Sequence, residues 1–553
     1  MKKYRLYWGD LHAHSAASYG HGSPQRAIAC AKLQLDFCSV TGHAFWPDMP
    51  DDRSRYAHII DYHKAGFARC AENWPLLQQL AQAEEEPGRF IPFLSYEWHS
   101  RAYGDHNVYF RDTDGPLVNS DSPTELAAKL AATGRAFMLV PHHIGYRQGY
   151  RGINWEHFSS KHSPLVEIFS MHGCSESDLA PYPSMHTMGP RDYRSTAEYG
   201  LKLGHRFGLI ASTDHHAGFP GSYGDGRVGV WAEALTREAL WDALQQRRTC
   251  AVTGDKIQAL LQVNGAWPGI SIQDAQQLAS PSPCDELYVE VVACDFVDYI
   301  EILRNERPVL RLSVPTPAAP AAQTAVEAVE VVAAAAAVAT ATAATATATA
   351  ATVTAMAAEA TGLANMDGRA AIEAKVRIEW GWAAKEDKIP IEASLTLQGG
   401  ELLDIEPCFR GEAVLSPDDS FAGEERVPHN IHHQDDRSCS WSSFAVANPS
   451  PRQAGTQAVI ATVRMKPADK FKLQMNGVTL TPTMRELLEG SISQPLRGYR
   501  SEAVRIHKAV PKAAYSISWQ GKLPAAPGTT WYRLRVAQRN GQWAWTTPIW
   551  VER

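Results

Sequence analysis

At 553 residues the chain is too long for a single hydrophobic core, so two to four domains are expected. Hydrophobic residues make up 44% and charged residues 20%, the balance of a soluble globular protein, with 16 Trp as the one clear excess. A formal net charge of −7 argues against general affinity for nucleic acid or an anionic membrane, so an anionic substrate would need local positive charge, from metal ions or a few arginines.

The opening MKKYRLYWGDLHAHS has no apolar run suited to a secretory signal, and no stretch of about 20 apolar residues, Ala aside, suggests a membrane span. The nine cysteines are odd in number and scattered without a CxxC pair, a poor pattern for disulfides or a zinc finger. A reducing cytoplasm is the expected location.

In chain order, the first half has the βα rhythm of a parallel sheet. Short apolar runs predict strands at Tyr4–Trp8, Asp36–Val40, Phe90–Leu94, Phe137–Val140, Leu165–Phe169 and Phe207–Ala211. Ser23-Pro24 starts one helix, with Ser at the N-cap and Pro at the first helical position. Ser122-Pro123-Thr124-Glu125 starts another as a capping box, closed by Gly134. Six or more such units by about residue 255 predict a barrel rather than a small open sheet.

After Gly254 the pattern turns to alternating strands, at Leu260–Val263, Leu287–Ala293 and Tyr299–Arg304, and resumes at Lys375–Trp382. Trp531–Gln538 and Trp543–Trp550, joined by Arg539-Asn540-Gly541, predict a hairpin that closes a β-sandwich. The alternating Trp543, Trp545 and Trp550 read as core packing. Between these blocks an Ala/Thr/Val tract lacks large side chains to bury and reads as a disordered insertion. The expected units are therefore 1–255, 256–315, the tract 316–366, and 367–553.

Of the 21 histidines, 17 precede residue 217, which places the chemistry in the first half. Asp10-Leu11-His12-Ala13-His14 sets two imidazoles on one side of a strand end, a pattern that is weak alone. The other candidates also fall at or just past strand ends: His43 after FCSVTG, Glu97 after FIPFLSY, His142 and His143 after FMLVP, His172 after VEIFSM, and Asp214 with His216 after GLIAST. The C-terminal mouth of an α/β barrel gathers such residues, and cations would hold their polar groups together. Imidazole with carboxylate suits Zn²⁺, Mn²⁺ or Fe²⁺ rather than Ca²⁺. Arg147 and Arg151, in GYRQGYRG, are candidates to clamp an anionic substrate. His58, His63, His99, His157, His162, His186 and His205 read as ordinary residues, and VPHNIHH at 427–433 as a polar loop.

The set His12, His14, His43, Glu97, Asp214 and His216 resembles the PHP superfamily of metal-dependent phosphoesterases. More narrowly, YWGDLHAHS, EWHS…GDHNVYF and AWTTPIWV resemble the PHP-like family DUF3604. The resemblance covers about residues 4–255 and, beyond them, the last hairpin. It implies a distorted (β/α)7 barrel with up to three metals, followed here by the β-sandwich-like domain. One metal would take His12, His14, Glu97 and Asp214. A second would share Glu97 and add His106 with His142 or His143. A third would use His43 and His216. The chain departs from the pattern in two places: Ser18-Tyr19-Gly20 stands where SDG or a His is usual, with His21 a possible substitute, and the usual TDH reads TGH, with Gly42 replacing the Asp.

The implied activity is hydrolysis of a phosphate ester of a small, anionic molecule by a metal-activated water, with His172 or His143 protonating the leaving group. Amide, lactone or glycosidic hydrolysis on the same site, and a non-catalytic metal-stabilised binding protein, are the alternatives. No nucleic-acid or membrane partner is expected, and the sequence does not fix the oligomeric state.

Overall fold

The computed structural model describes residues 4–182, 188–272, 283–313, 370–385, 387–413, 427–449 and 454–553. The Ala/Thr tract at 316–366 and His186 lie outside them. The architecture is mixed α/β and dominated by sheets. Among the described residues no helix is long and apolar enough to cross a membrane.

The first unit carries β1 (Arg5–Ala13), β2 (Phe37–Phe45), β3 (Ile91–Trp98), β4 (His106–Phe110), β5 (Phe137–Pro141), β6 (Leu165–Ser170), β7 (Gly173–Cys174), β8 (Gly208–Ala211), β9 (Arg227–Ala232) and β10 (Thr249–Val252). All six predicted strands are present. They are nearly continuous apolar runs because both faces are covered, one by α1 (Pro24–Lys32), α2 (Arg53–Ala83) and α3 (Pro123–Ala132). Strands β10-β9-β1-β2-β3-β4-β5 are neighbours in one sheet, and β7-β6-β8 form a second. The expected all-parallel rhythm is corrected. Only β1–β2, β2–β3 and β6–β8 pair in parallel among the described strands. The β3–β4–β5 meander and the β1–β9–β10 run are antiparallel.

The helix starts follow from their caps. Ser23 accepts from the Arg26 N–H at 3.1 Å, and Ser122 from the Glu125 N–H at 3.2 Å. Glu125, however, reaches the Asp121 N–H and the Ser120 hydroxyl instead of completing a capping box. Gly134 ends α3 at φ 72°, where a Cβ would be strained.

The next strands are β11 (Gln258–Val263), β12 (Cys284–Val292), β13 (Val297–Arg304) and β14 (Arg307–Ser313). A second β-rich unit follows: β15 (Ile372–Gly381), β16 (Ile389–Gln398), β17 (Glu401–Cys408), β18 (Asn430–Gln434), β19 (Ser438–Ala445), β20 (Gln457–Met465), β21 (Lys470–Met475), β22 (Val478–Leu480), β23 (Ile492–Pro495), β24 (Ala503–Ile506) and β25 (Val510–Pro511). Its two sheets, β17-β20-β15-β24-β23 and β18-β19-β16-β21-β22, enclose one core containing Trp380 and Trp441. The segment 427–433, expected as a loop, holds buried His429 stacked on Phe409 and then enters β18.

The chain ends in β26 (Ser516–Pro524), β27 (Thr530–Gln538), β28 (Trp543–Thr546) and β29 (Ile549–Val551). The predicted hairpin is there, but its destination differs. Strand β28 pairs with β10 and β27 with β13, so the hairpin extends the sheet of the first unit, while its Tyr532, Leu534 and Val536 share a core with Leu261, Leu287 and Val289 of the separate β11-β12-β26 sheet. Trp545 and Trp550 are buried beside Phe207, Leu209 and Ala251, whose apolar surface needs that cover.

Candidate metal centre

The centre is organised by Asp10, a fully buried carboxylate in β1. It accepts from the His12 N–H, from the Thr213 N–H and hydroxyl at 3.1 and 2.6 Å, and from the Gly221 N–H at 2.7 Å. These bonds lay the 212–216 segment along the end of β1, where Asp214 N–H donates to His12 O and His14 N–H to His215 O. Asp214 itself takes φ 54°, which turns its carboxylate toward the two imidazoles.

Each ring is oriented from behind. His14 Nδ1–H donates to Thr41 O at 2.8 Å, His216 Nδ1–H to Asp214 O at 2.8 Å, and His12 Nδ1–H to Glu167 Oε2 at 3.2 Å. Those partners assign the lone pairs of His12, His14 and His216 to Nε2. His12 Nε2 and His14 Nε2 then face one another at 3.0 Å, with Asp214 Oδ1 at 3.3 and 3.0 Å and Glu97 Oε2 at 4.0 and 3.6 Å. Four acceptors converge with no hydrogen between them, an arrangement that a cation stabilises.

Glu97 extends the cluster. Its Oε1 is 2.9 Å from His142 Nε2 and 3.1 Å from His99 Nδ1. Its Oε2 is 2.6 Å from His43 Nδ1 without hydrogen-bond geometry. Buried His43 Nε2, His142 Nδ1 and His143 Nδ1 have no hydrogen-bond partner, an expensive state for a polar atom unless it ligates. His43 is stacked between His14 and Tyr19, at ring distances of 3.8 and 3.5 Å. His172 Nε2 lies 2.9 Å from Asp214 Oδ2, and His143 Nε2 lies 3.3 Å from Asp105 Oδ2. Among the described residues, five overlapping groups could hold a metal ion: His14/His43/His216, Glu97/Asp105/His142/His143, His12/His14/Glu97, His43/Glu97/His99 and His143/His172/Asp214.

The electrostatics fit that reading. Burial pushes the Glu97 carboxyl up, but His99, His43 and His142 hold it well below its usual range. Asp214 is held down likewise by His12 and His172 against burial, and Asp105 by Arg151 and His99. Burial, with neighbouring imidazoles, depresses His43, His142, His143 and His216, the last to about 3. Charged carboxylates and neutral imidazoles are the protonation states a metal requires. At His12, burial is outweighed by Asp214, Glu167 and Glu97, which raise it to about 10; these carboxylates call for positive charge beside the ring, which a cation supplies as well as a proton.

Of the residues expected from the sequence, His12, His14, His43, Glu97, His142, His143, His172, Asp214 and His216 come together. His106 is in none of the groups: its Nδ1–H donates to Gly104 O at 2.9 Å and its ring lies edge-on to Trp98. His21 is also outside the groups. Arg147 is exposed, whereas Arg151 turns inward and ion-pairs with Asp105. A side chain at Gly42 would run into Cys70 Sγ at 2.7 Å, so the Asp usual there has no room. His99, expected to be ordinary, is fully buried in the cluster; Asp105 and the supporting Glu167 were not anticipated. The spacing Glu97-Trp98-His99 repeats the i, i+2 logic of His12 and His14, which could have found His99.

The comparisons agree at one level. The model of the family described as protein of unknown function (DUF3604) matches residues 222–282. The resemblance to DUF3604 is borne out. That match begins beyond the clustered histidines, so the DUF3604 model does not itself cover the ligand set. Uncharacterized proteins of Chlamydia muridarum and Chlamydia trachomatis are each 28% identical, over 54% of this chain and 48% of their own length. One of Chlamydia pneumoniae is 24% identical over 35% of this chain and 34% of its own. The chain thus spans about half or less of the curated relatives it matches. Among solved structures, a two-domain protein from Bacteroides vulgatus containing a predicted PHP-like metal-dependent phosphoesterase is 16% identical, with TM-score 0.31, over 54% of this chain and 79% of that one.

Proposed function

We propose that this chain is a metal-dependent hydrolase of phosphate esters, working with two or three divalent ions of the Zn²⁺, Mn²⁺ or Fe²⁺ class. The observation that carries the reading is the pair His12 Nε2 and His14 Nε2, aimed at one another 3.0 Å apart beside Asp214 and Glu97. His12, His14, Asp214 and Glu97 would hold one ion; Glu97, His142 and Asp105 a second; His43 and His216 a third. When bound, such ions polarise phosphoryl oxygens and lower the pKa of a water. The same reading takes residues 4–255 as a distorted (β/α)7 barrel, supported by the bond Thr249 Oγ1–H to Leu209 O between β10 and β8 and by Leu139 N–H to His162 O, which ties β5 to the turn that leads into β6. It takes the unit at 370–511 as a β-sandwich.

The chain's own residues position the substrate and move the proton. Asp105 orients His143 through Nε2 and Asp214 orients His172 through Nε2, and one of these two imidazoles would pass a proton to the leaving-group oxygen. Arg151 acts through Asp105 as a positioning residue. The substrate is a small anionic molecule that the ions attract.

The test is metal content of protein purified without chelator, beside hydrolysis of an aryl phosphate with Mn²⁺ or Zn²⁺. Two or three ions per chain with metal-dependent turnover support the proposal. Bound metal with no phosphate hydrolysis moves the activity to an amide, lactone or glycosidic bond. No metal bound or taken up overturns it.

A further inference from the structure

A cleft of about 250 Å³ opens beside the metal centre, and its two walls come from different units. Met171, His216 and Asp225 line it from the first unit; Lys388, Arg410 and Phe444 line it from the second. The second wall is built onto the ligand loop itself. Phe409 O accepts from the Tyr223 N–H at 2.9 Å, Gly411 N–H donates to Ser222 Oγ at 3.3 Å, and Arg26 makes two bonds to Glu412, at 2.8 and 2.9 Å. A Cβ at Gly411 would stand 2.5 Å from His215 Cε1, so the second unit approaches within one residue of Asp214 and His216.

The cleft's charges are unequally committed. Glu412 is engaged bidentately by Arg26, and Arg410 is tied through Nε to Thr456 O. Lys388 is half-exposed at 44%; its Nζ lies over the Phe444 ring, 4.7 Å from the centroid, and 3.9 Å from the already engaged Glu412. That leaves an ammonium with an aromatic shelf beneath it, facing the same cleft as ligand His216.

We infer that this cleft is a distal subsite of the phosphoesterase site proposed above, and that Lys388 selects phosphate esters carrying a second anionic group, such as a carboxylate, on the far side of an apolar spacer. The inference rests on the phosphoesterase reading. The metal end takes the phosphoryl group, Phe444 the spacer, and Lys388 the distal anion.

The experiment is calorimetry of the Mn²⁺-loaded full chain with methylphosphonate and with ω-carboxyalkylphosphonates of increasing length. The expected result is a length optimum at which the carboxylate probe binds about tenfold tighter than methylphosphonate, a preference lost in Lys388→Met and kept in Lys388→Arg, which retains the charge. A melting curve of Lys388→Met shows that it is folded. No length optimum, or an optimum that Lys388→Met leaves intact, overturns the subsite. Stronger gain from ω-aminoalkylphosphonates overturns the assigned sign, placing Asp225 in control. If methylphosphonate itself shows no metal-dependent binding, the phosphoesterase reading fails, whatever the cleft does.

Discussion

Glu167 Oε2 reaches His12 Nδ1 at 3.2 Å, on the side of the ring opposite the nitrogen that faces His14. Glu167 is buried in the middle of β6, and burial raises its carboxyl to about 7 against the pull of His12. A carboxylate behind a ligand imidazole fixes the tautomer and raises ligand basicity. Glu167→Ala is therefore expected to weaken metal affinity by roughly 10- to 100-fold, and Glu167→Gln by less, since its amide oxygen still accepts from Nδ1–H. Competition with a fluorescent chelator measures this. Equal affinities in all three proteins would remove Glu167 from the support of the site.

Glu97 is the carboxylate that joins His43 on one oxygen to His142 and His99 on the other. Glu97→Ala should cost at least one ion per chain by mass spectrometry of the metal content, and lower metal-dependent turnover by about 100-fold or more. Unchanged stoichiometry would show that the ions sit elsewhere.

Asp255 joins the two units. It accepts from Arg377 at 2.6 Å, Tyr223 Oη at 2.8 Å, and Gln538 and Asn540 at 2.7 Å each. Burial raises its carboxyl, but Arg377 and these hydrogen bonds outweigh that and hold it below the ordinary 3.8. A depressed folded pKa stabilises the fold above the unfolded value and ceases to do so as pH falls through the folded value. Asp255→Asn should cost about 3–5 kcal/mol by urea unfolding at neutral pH, because Arg377 stays buried without its counter-charge. That difference should be constant down to about pH 5 and shrink below 3.8. A difference that grows in acid would contradict the sign.

Gly411→Ala places a methyl group against the buried His215 ring. Since His215 lies between Asp214 and His216, the mutation should weaken metal binding about tenfold and lower the melting temperature, with no ligand atom altered. A variant that matches wild type in both would show that the loop yields freely at this point.

Much of this was legible in the sequence where a local rule applied. Ser23 and Ser122 cap helices as expected, and apolar runs such as Phe137–Val140 became strands because they are buried on both faces. The family resemblance assigns His106 to the second metal and does not single out Asp105. Strand β4 instead pairs antiparallel with β3, setting His106 against Trp98, while Asp105 just before it meets Arg151 and His143. Arg151 was read as a substrate clamp, yet φ 68° and the ion pair with Asp105 turn it into the protein. Asp10 and Glu167 sit inside strands and act behind the clustered imidazoles, and such partners become visible only when distant segments meet.

The pairing of β28 with β10 has a consequence for biosynthesis. Until residues 543–546 leave the ribosome, β10 presents an open edge of unpaired peptide groups, and the surface around Phe207 and Ala251 lacks Trp545 and Trp550. The first 255 residues can therefore bring their clustered histidines together early but cannot seal, so the nascent chain exposes an adhesive strand for about the second half of its synthesis. Chaperone demand and premature termination should both act at this edge, and a stop before Trp543 should yield aggregated protein instead of a smaller folded one.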